Sequence, residues 1–184
     1  MMTQPLPIAQ LGHSVLRQIA APVPHGQDAW VRSLVNELLV TLQASNGVGI
    51  AAPQVGHSYR VVVVASRPNA RYPHAPQIQP IALINPEVVR HSDDVVRDWE
   101  GCLSVPGVRG LVPRYTSVEV EYTTVEGDRV TQEFHDFVAR IFQHEFDHLN
   151  GLVFVDRVET QHDLIDEQEY FTRVLAQQSV SPAQ

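Results

Sequence analysis

The sequence has one cysteine, no long apolar run and few basic residues, and each scarcity excludes a class of protein. Cys102 is the only cysteine among 184 residues, so no disulfide forms within the chain, and we expect a reducing compartment. No apolar stretch approaches the roughly 20 residues of a membrane span. The N-terminus also lacks a cationic start followed by an apolar run, so no secretory signal is predicted. We therefore expect a cytoplasmic protein without a membrane segment.

The charge balance excludes a broad surface for nucleic acid. The chain carries 13 Lys and Arg against 21 Asp and Glu, a formal net charge of -8, which disfavours both nucleic acid and anionic membranes as partners. Hydrophobic residues make up 43% of the sequence and charged residues 18%, a composition typical of globular proteins. We expect a single domain over residues 1–184, with a frayed end after about residue 178.

Hydrophobic periodicity predicts an α+β fold. Trp30, Leu34, Leu38 and Leu42 recur every four residues and form one apolar stripe of a helix, which the pair Asn46-Gly47 ends. The segments that we predict are helices over residues 11–20, 28–44, 136–150 and 162–178, strands over 60–65, 81–85, 88–99, 117–124 and 129–134, and a proline-rich exposed loop over 66–80. A helix, then strands, then a late helix indicate mainly antiparallel strands with the late helix packed on them.

The sharpest local signal is an HExxH motif, His144-Glu145-Phe146-Asp147-His148. The two histidines lie about one helical turn apart on one face, so both imidazoles can bind one metal ion. Glu145 can face a water on that ion and serve as a general base.

Two histidines leave the ion without a third protein ligand. A downstream His or Glu is the usual donor, but an HExxHxxGxxH arrangement would need His at position 154, which is Phe154. Cys102 is the other donor, although a lone cysteine is more often a small buried hydrophobe. Its neighbours Gly101 and Pro106 indicate a tight turn that can hold a thiol at a fixed angle.

A third segment, Gly47-Val48-Gly49-Ile50-Ala51-Ala52-Pro53-Gln54, gives a weaker signal. Its glycines follow a helix, whereas a phosphate loop lies between a strand and a helix. The segment is either a plain loop in which glycines allow close backbone approach, or the lining of a cleft into which Gln54 presents a hydrogen-bond donor.

Taken together, GVGIAAPQ, EGCLS and QHEFDH resemble the three motifs of the peptide deformylase family, in the same order and at similar separations. The resemblance covers most of residues 8–158. It implies an α+β fold with antiparallel sheets wrapped around the HExxH helix, together with an N-terminal and a C-terminal helix. It also implies a metal-dependent hydrolase that removes the formyl group from the N-terminal formylmethionine of nascent peptides and releases formate.

The resemblance further implies roles for individual residues. Cys102, His144 and His148 would bind one divalent ion, Fe²⁺ in the cell, with Zn²⁺, Ni²⁺ or Co²⁺ able to replace it. Glu145 would be the base, and the Gln54 amide and the Leu103 backbone N–H would face the oxyanion. The implied substrate-binding residues fall into three groups. Val48, Phe137 and Ile141 would form an apolar pocket, and the backbone of Gly49, Ile50 and Gly101 would pair with the substrate peptide. Arg109 would lie near the substrate chain. Nascent N-formylmethionyl peptides near the ribosome are the expected partner, and the expected state is a monomer.

Two other functions are compatible with parts of the sequence. An HExxH metallopeptidase that cleaves internal peptide bonds would explain the helix but would leave Cys102 and Gln54 without a role. A non-catalytic metal-binding protein would need a fourth protein ligand, and the sequence offers no candidate. For Phe137 and Ile141, plain core packing is compatible with a place in the pocket.

Overall fold

A computed structural model describes residues 4–25 and 28–176 of the chain. Its helices are α1 (Asp28–Ser45), α2 (Asp136–Leu149) and α3 (Glu167–Glu169), and a π-helical segment over Tyr170–Leu175 continues α3. Its strands are β1 (Gly49–Ala51), β2 (Val61–Val64), β3 (Ile81–His91), β4 (Val95–Cys102), β5 (Val105–Tyr115), β6 (Ser117–Thr123), β7 (Arg129–His135) and β8 (Leu164–Asp166). Among the described residues, no helix is long and apolar enough to cross a bilayer.

The strands form two antiparallel sheets that lie on either side of α2. The first has the order β1-β2-β3-β6-β7 and the second the order β4-β5-β8. Helix α2 contacts β1, β2, β6 and β7 of the first sheet and β5 of the second. The predicted α+β class, with antiparallel strands around the HExxH helix, is therefore confirmed.

The four-valine strand β2 shows how the core is divided. Val62 and Val64 pack in a cluster with Phe142 of α2, whereas Val61 and Val63 pack in a second cluster with Leu38 of α1. Since successive side chains of a strand point to opposite faces, β2 must be apolar throughout to contact a helix on each side. The first sheet therefore lies between α1 and α2, and its inner face supports the helix that carries the HExxH motif.

Left-handed residues stand where the chain changes direction. Asn46 has φ +54° directly after α1, so the predicted end of that helix is confirmed. Asp136 begins α2 at φ +49°, a conformation that costs a residue with a Cβ about 1–2 kcal/mol. Gly127 has φ +95° in the turn between β6 and β7, where Thr124 N–H donates to the Asp128 carbonyl at 2.8 Å.

Three predicted elements were wrong in part. Residues 162–166 are not α-helical, because a 3-10 turn over Gln161–Asp163 leads into Leu164–Asp166, which pairs with β5 as strand β8 before the helix begins. The strand predicted over 88–99 is divided between β3 and β4, because the chain turns at residues 92–94 into the other sheet. Residues 11–20 contain only a single 3-10 turn, Ser14–Arg17. The frayed end predicted after residue 178 lies outside the described residues.

The proline-rich segment over residues 66–80 lacks regular structure, as predicted, but it is not uniformly exposed. Ser66 and Ala75 are buried, and the Ser66 hydroxyl donates to the Pro76 carbonyl at 2.6 Å. The Asn69 carboxamide oxygen accepts hydrogen bonds from the backbone N–H of Arg71 and of Tyr72. These bonds turn Arg71 and Tyr72 toward the cleft between the two sheets.

Candidate metal centre

Cys102, His144 and His148 come together in the interior. One ligand atom of each residue, a sulfur or an imidazole nitrogen, lies within 4.8 Å of the others. The Cys102 Sγ is 3.4 Å from His148 Nε2, and the two imidazole rings lie edge to face at 5.3 Å between centroids. The spacing of four along α2 places both imidazoles on one face, as the motif predicted.

The cysteine reaches this face from the opposite sheet. Cys102 is the last residue of β4, where the ladder shifts register and Cys102 pairs with Val105 across a bulge. A bulge re-aims the side chain next to it, and here the thiol points into the interior with 1% of its residue surface exposed. The turn predicted between Gly101 and Pro106 lies at Leu103 and Ser104, directly after the cysteine, and the end of β4 positions the thiol against α2.

The thiol lies among hydrogen-bond donors and basic groups. Ser104 N–H lies 3.4 Å from the Cys102 Sγ, and the Gln54 side-chain amide lies 3.5 Å from it. Burial alone would raise the pKa of Cys102, but His148 and His144 beside it lower that pKa well below its ordinary value. The thiolate is the form that binds metal.

The two imidazoles differ in their surroundings. His144 Nδ1 lies 2.8 Å from Glu100 Oε2, so the ring donates Nδ1–H to the carboxylate and turns Nε2 toward the cysteine. Burial would lower the pKa of His144, but Cys102 and Glu100 raise it well above its ordinary value. His148 Nδ1 is buried and has no hydrogen-bond partner among the described residues.

Glu145 is a buried carboxylate beside these ligands. Its Oε2 has no hydrogen-bond partner within the described part of the chain. Burial raises its pKa to about 7, although His144 and His148 oppose that shift. A carboxylate with such a pKa can both take and return a proton near neutral pH. A Cβ at Gly49 would stand 2.5 Å from Glu145 Oε1, so this position has space only for glycine.

The cleft in front of Glu145 lies between two free sheet edges. β1 is the edge strand of the first sheet and β4 that of the second. Seven residues that the sequence singled out line the cleft in addition to the ligands Cys102 and His144 and to Glu145: Val48, Gly49, Gln54, Gly101, Leu103, Phe137 and Ile141. Exposed edge strands present unpaired backbone groups to an extended peptide.

Two predicted substrate residues, Ile50 and Arg109, have side chains outside the cleft lining, although only a backbone role was predicted for Ile50. The Ile50 side chain is fully buried and packs in the α1 cluster on the far side of β1, so only its backbone can face the cleft. Arg109 is also fully buried, and its guanidinium lies directly behind Gly101, where a Cβ would stand 2.8 Å from Arg109 Nε. The structure therefore places Arg109 beneath the cleft wall rather than in the cleft.

Sequence reasoning missed several residues of the cleft: Arg71, Tyr72, Trp99, Glu100 and Arg140. Tyr72 packs against Phe137 at 5.2 Å between ring centroids, and its hydroxyl accepts from Gly101 N–H at 3.4 Å. Glu100 belongs to the EGCLS motif, and the sequence marks Arg71 and Tyr72 only as an adjacent pair in the proline-rich loop 66–80, which also contains a further arginine, a histidine and an isoleucine. Such a pair does not indicate which surface the loop covers.

The donor set fits a divalent metal ion. A thiolate and two imidazole nitrogens are the donors that Zn²⁺ and Fe²⁺ accept. Three donors in the described residues, with the Glu145 carboxylate beside them, match the number of protein ligands found in catalytic rather than closed structural zinc sites.

Comparison with known proteins gives a consistent result. Residues 5–163 match the family described as polypeptide deformylase. Peptide deformylase 2 of Nostoc sp. is 58% identical over 165 residues, which cover 90% of this chain and 92% of the relative. Peptide deformylase 2 of Shewanella oneidensis is 40% identical over 166 residues, which cover 90% of this chain and 91% of that protein.

Solved structures agree with the sequence relatives. The chain is similar to a class I type b peptide deformylase of Acinetobacter baumannii with Met-Ala-Ser bound, at a TM-score of 0.83 and 47% identity over 85% of this chain and 100% of that one. It is also similar to a peptide deformylase of Synechococcus elongatus in complex with actinonin, at a TM-score of 0.78 and 36% identity, over 100% of this chain and 93% of that one.

Proposed function

The chain belongs to the peptide deformylase family, and from that membership we propose how its residues carry out the reaction of the family. Peptide deformylases hydrolyse the formyl group from the N-terminal formylmethionine of newly made polypeptides, and this chain is an enzyme of that type. The observation that carries the proposal is the convergence of Cys102, His144 and His148 within 4.8 Å, beside a cleft that contains Glu145.

Cys102, His144 and His148 would hold one divalent ion. When bound, such an ion acts as a Lewis acid and lowers the pKa of water, to about 7 in favourable zinc sites. We propose Fe²⁺ as the native ion, with Zn²⁺, Ni²⁺ or Co²⁺ able to replace it, because mixed nitrogen and sulfur donors accept all four. Metal analysis of anaerobically purified protein tests the choice, and zinc at full occupancy without iron would contradict it.

Glu145 would be the proton carrier. Its buried carboxylate faces the cleft, and its raised pKa suits it to take a proton from the water that attacks the formyl carbon. The same carboxylate would then give that proton to the amine that leaves as the C–N bond breaks. The products are formate and a peptide with a free N-terminus.

Gln54 and the Leu103 backbone N–H would stabilise the oxygen of the formyl group as it gains negative charge. Both residues line the cleft, and the Gln54 Oε1 accepts from Ala51 N–H at 2.8 Å, which fixes the orientation of the side-chain amide. The Gln54 Nε2 also lies 3.2 Å from Ser104 Oγ, so its N–H groups point toward the cysteine side of the cleft. Loss of one such donor typically raises a barrier by about 3 kcal/mol.

The substrate would enter as an extended strand. The free edges of β1 and β4 offer the backbone of Gly49, Ile50 and Gly101 to the peptide. Val48, Phe137 and Ile141 form an apolar wall of the cleft, which suits a methionine side chain. Arg109 would act on the substrate only through the wall in front of it, because its guanidinium lies behind Gly101.

Formate release from formyl-Met-Ala-Ser tests this assignment. We expect turnover by the metal-loaded enzyme and its loss in Glu145→Ala with metal content unchanged, because that variant removes the proton carrier but none of the ligands. Equal activity in the variant would contradict the role of Glu145. Cleavage of unformylated casein is the matching control for the alternative, an internal metallopeptidase, which the family membership does not favour.

The setting of the enzyme is also part of the proposal. We propose a monomeric, cytoplasmic enzyme whose 184 residues form one domain and which acts on nascent peptides near the ribosome. An enzyme that acts on the N-terminus of new chains needs access to them early in their synthesis. Light scattering of purified protein tests the oligomeric state, and a dimer at micromolar concentration would contradict it.

A further inference from the structure

A buried chain of ion pairs leads away from His144. Its Nδ1 lies 2.8 Å from Glu100, and Glu100 accepts hydrogen bonds from Arg114 Nε and Nη2 at 2.9 and 3.0 Å. The third nitrogen of the guanidinium, Nη1, donates to Asp147 at 2.6 Å. Arg157, which is half exposed, contacts the other side of Asp147 at 2.6 and 3.1 Å. We call Asp147, Arg114 and Glu100 the buried chain.

The geometry of Arg114 couples the two carboxylates. All three of its nitrogens are bonded to a carboxylate, and the side chains of the three residues are at most 5% exposed. A guanidinium is planar and rigid, so its two ends keep a fixed relation. A shift of Asp147 therefore displaces one end of Arg114. A rotation of Arg114 changes both of its hydrogen bonds to Glu100, which Arg140 also contacts at 2.9 Å.

The two imidazoles give an internal contrast. Glu100 holds His144 from behind, whereas His148 Nδ1 has no partner in the described residues. The chain of ion pairs ends on His144. Within the described residues, no carboxylate contacts the Nδ1 of His148 as Glu100 contacts that of His144. A partner on the far nitrogen of a ligating histidine fixes its tautomer and orientation.

We propose that Asp147 and Arg114 are positioning residues for His144. Asp147 fixes the plane of the Arg114 guanidinium, Arg114 fixes the Glu100 carboxylate, and Glu100 fixes the imidazole. The inference rests on the proposed role of His144 as a metal ligand. It goes beyond that role because it assigns a function in metal binding to Asp147, whose side chain is outside the cleft lining and contacts Arg114 and Arg157 rather than the imidazoles.

The test measures Co²⁺ affinity rather than activity. The enzyme is stripped with a chelator and reloaded with Co²⁺, and the dissociation constant is measured by competition with a chromophoric chelator. We expect Asp147→Asn and Arg114→Lys each to weaken binding by about 10- to 100-fold, the range typical of partners that orient ligands. Lysine keeps the charge of Arg114 but cannot hold both carboxylates with one rigid plane. The visible spectrum of bound Co²⁺ should change in both variants.

A double variant separates positioning from general destabilisation. If Asp147 acts through Glu100, then Asp147→Asn should weaken Co²⁺ binding no further when Glu100→Gln is already present. Additive losses, or an unchanged dissociation constant in the single variants, would overturn the proposal. Should the Asp147 variant fail to fold, Arg114→Lys in the same Glu100→Gln background decides the question.

Arg60→Met is the matched control. Arg60 is also partly buried and bonded to α2, through the Leu149 carbonyl and the Asn150 side chain, but it does not contact Glu100. We expect a loss of stability with unchanged Co²⁺ affinity and spectrum. Equal weakening in this variant would show that the affinity follows stability alone and would overturn the positioning role. Failure of the unaltered enzyme to bind Co²⁺ would instead contradict the proposed ligands.

Discussion

Three arginines are buried in the described part of the chain, and two of them, Arg109 and Arg114, are stabilised in different ways. Arg114 lies behind the metal centre between two buried carboxylates, Glu100 and Asp147. Arg109 lies beneath the cleft wall, where Glu167 is the one carboxylate that contacts it in the described residues. We call their surroundings the Arg114 cluster (Glu100, Arg114, Arg140, Asp147 and Arg157) and the Arg109 cluster (Arg71, Tyr72, Arg109, Glu167 and Tyr170).

The difference lies in how much water each cluster retains. Burial would raise the pKa of Glu100, but Arg114 and His144 lower it far more, so this carboxylate stays charged without solvent. Glu167 keeps 26% of its side chain exposed, and Arg109 also contacts the Tyr72 hydroxyl at 3.2 Å and the Tyr170 ring at 4.8 Å. The Arg114 cluster is therefore suited to hold a ligand rigidly, and the Arg109 cluster to join segments at the rim of the cleft.

We expect the greatest loss of stability when Arg114 is removed from its cluster. Arg114→Met leaves Glu100 and Asp147 buried with fewer partners, because Arg140 and Arg157 then remain as their only arginine contacts in the described chain. Removing one partner of a buried ion pair costs about 3–5 kcal/mol. Urea unfolding at equal metal loading measures the loss, and a change below about 1 kcal/mol would show that water replaces the guanidinium.

A smaller effect is expected from the same change in the Arg109 cluster. Arg109→Met leaves Glu167 paired with Arg71 at 2.9 Å and partly hydrated, so the carboxylate is not left without a partner. We expect a loss of about 2 kcal/mol, the scale of hydrogen bonds to a charged group. The same urea experiment tests the ranking, and a loss equal to that of Arg114→Met would contradict the distinction between the clusters.

The two clusters also differ in how far the sequence could predict them. The spacing of four between His144 and His148 follows from helix geometry alone, and the resemblance to a family supplied Cys102 as the third ligand. Glu100 stands in the EGCLS motif and Asp147 in the HExxH motif. Two members of the Arg114 cluster therefore lie in motifs that can be recognised from the sequence. Helix periodicity predicted α2 itself, but Arg114 lies in β5, which was not predicted as a strand, so the contacts of the cluster were not predicted.

The Arg109 cluster could not be predicted, because its members come from segments without a repeating pattern. β5 contains Pro106, Gly107, Gly110 and Pro113, so it did not read as a strand, although the full ladder with β4 stabilises it. β1 and β8 have three residues each, which is too short for a period to appear. A buried arginine requires a carboxylate, but the sequence offers 21 acidic residues and no rule that selects Glu167.

The pKa of Glu167 makes the stability of the Arg109 cluster depend on pH. Burial would raise the pKa of Glu167, but Arg71 and Arg109 lower it below its ordinary 4.5. A lowered pKa in the folded state contributes stability that is complete above the unfolded pKa and is lost as pH falls through the folded one. Asp166 and Glu169 flank Glu167 along the chain, and Arg173 is paired with Glu169 rather than with Glu167.

Glu167→Gln is the variant that isolates this effect. It should be less stable than the parent by about 1.5 kcal/mol at pH 7, because the fully buried Arg109 loses its carboxylate but keeps a neutral acceptor. The difference should shrink as pH falls below about 4.5, the ordinary pKa of glutamate. Urea midpoints of both proteins between pH 7 and pH 3 provide the measurement. A difference in stability that stays constant over this range would show that Glu167 stabilises the fold through packing rather than through its charge.

The smallest effect concerns the outer member of the Arg109 cluster. Arg71 contacts Glu167 at 2.9 Å while 21% of its side chain is exposed, and ion pairs near the surface contribute about 0.2–1 kcal/mol. Arg71→Gln should therefore cost about 0.5 kcal/mol in low salt and nearly nothing in 1 M NaCl, where the screening length is about 3 Å. The loss in Arg109→Met should persist in the same salt, because Arg109 is fully buried. If salt removes both losses, Arg109 is held by solvent-screened charge like Arg71. The distinction between a hydrated rim and a dry interior would then not apply within the Arg109 cluster.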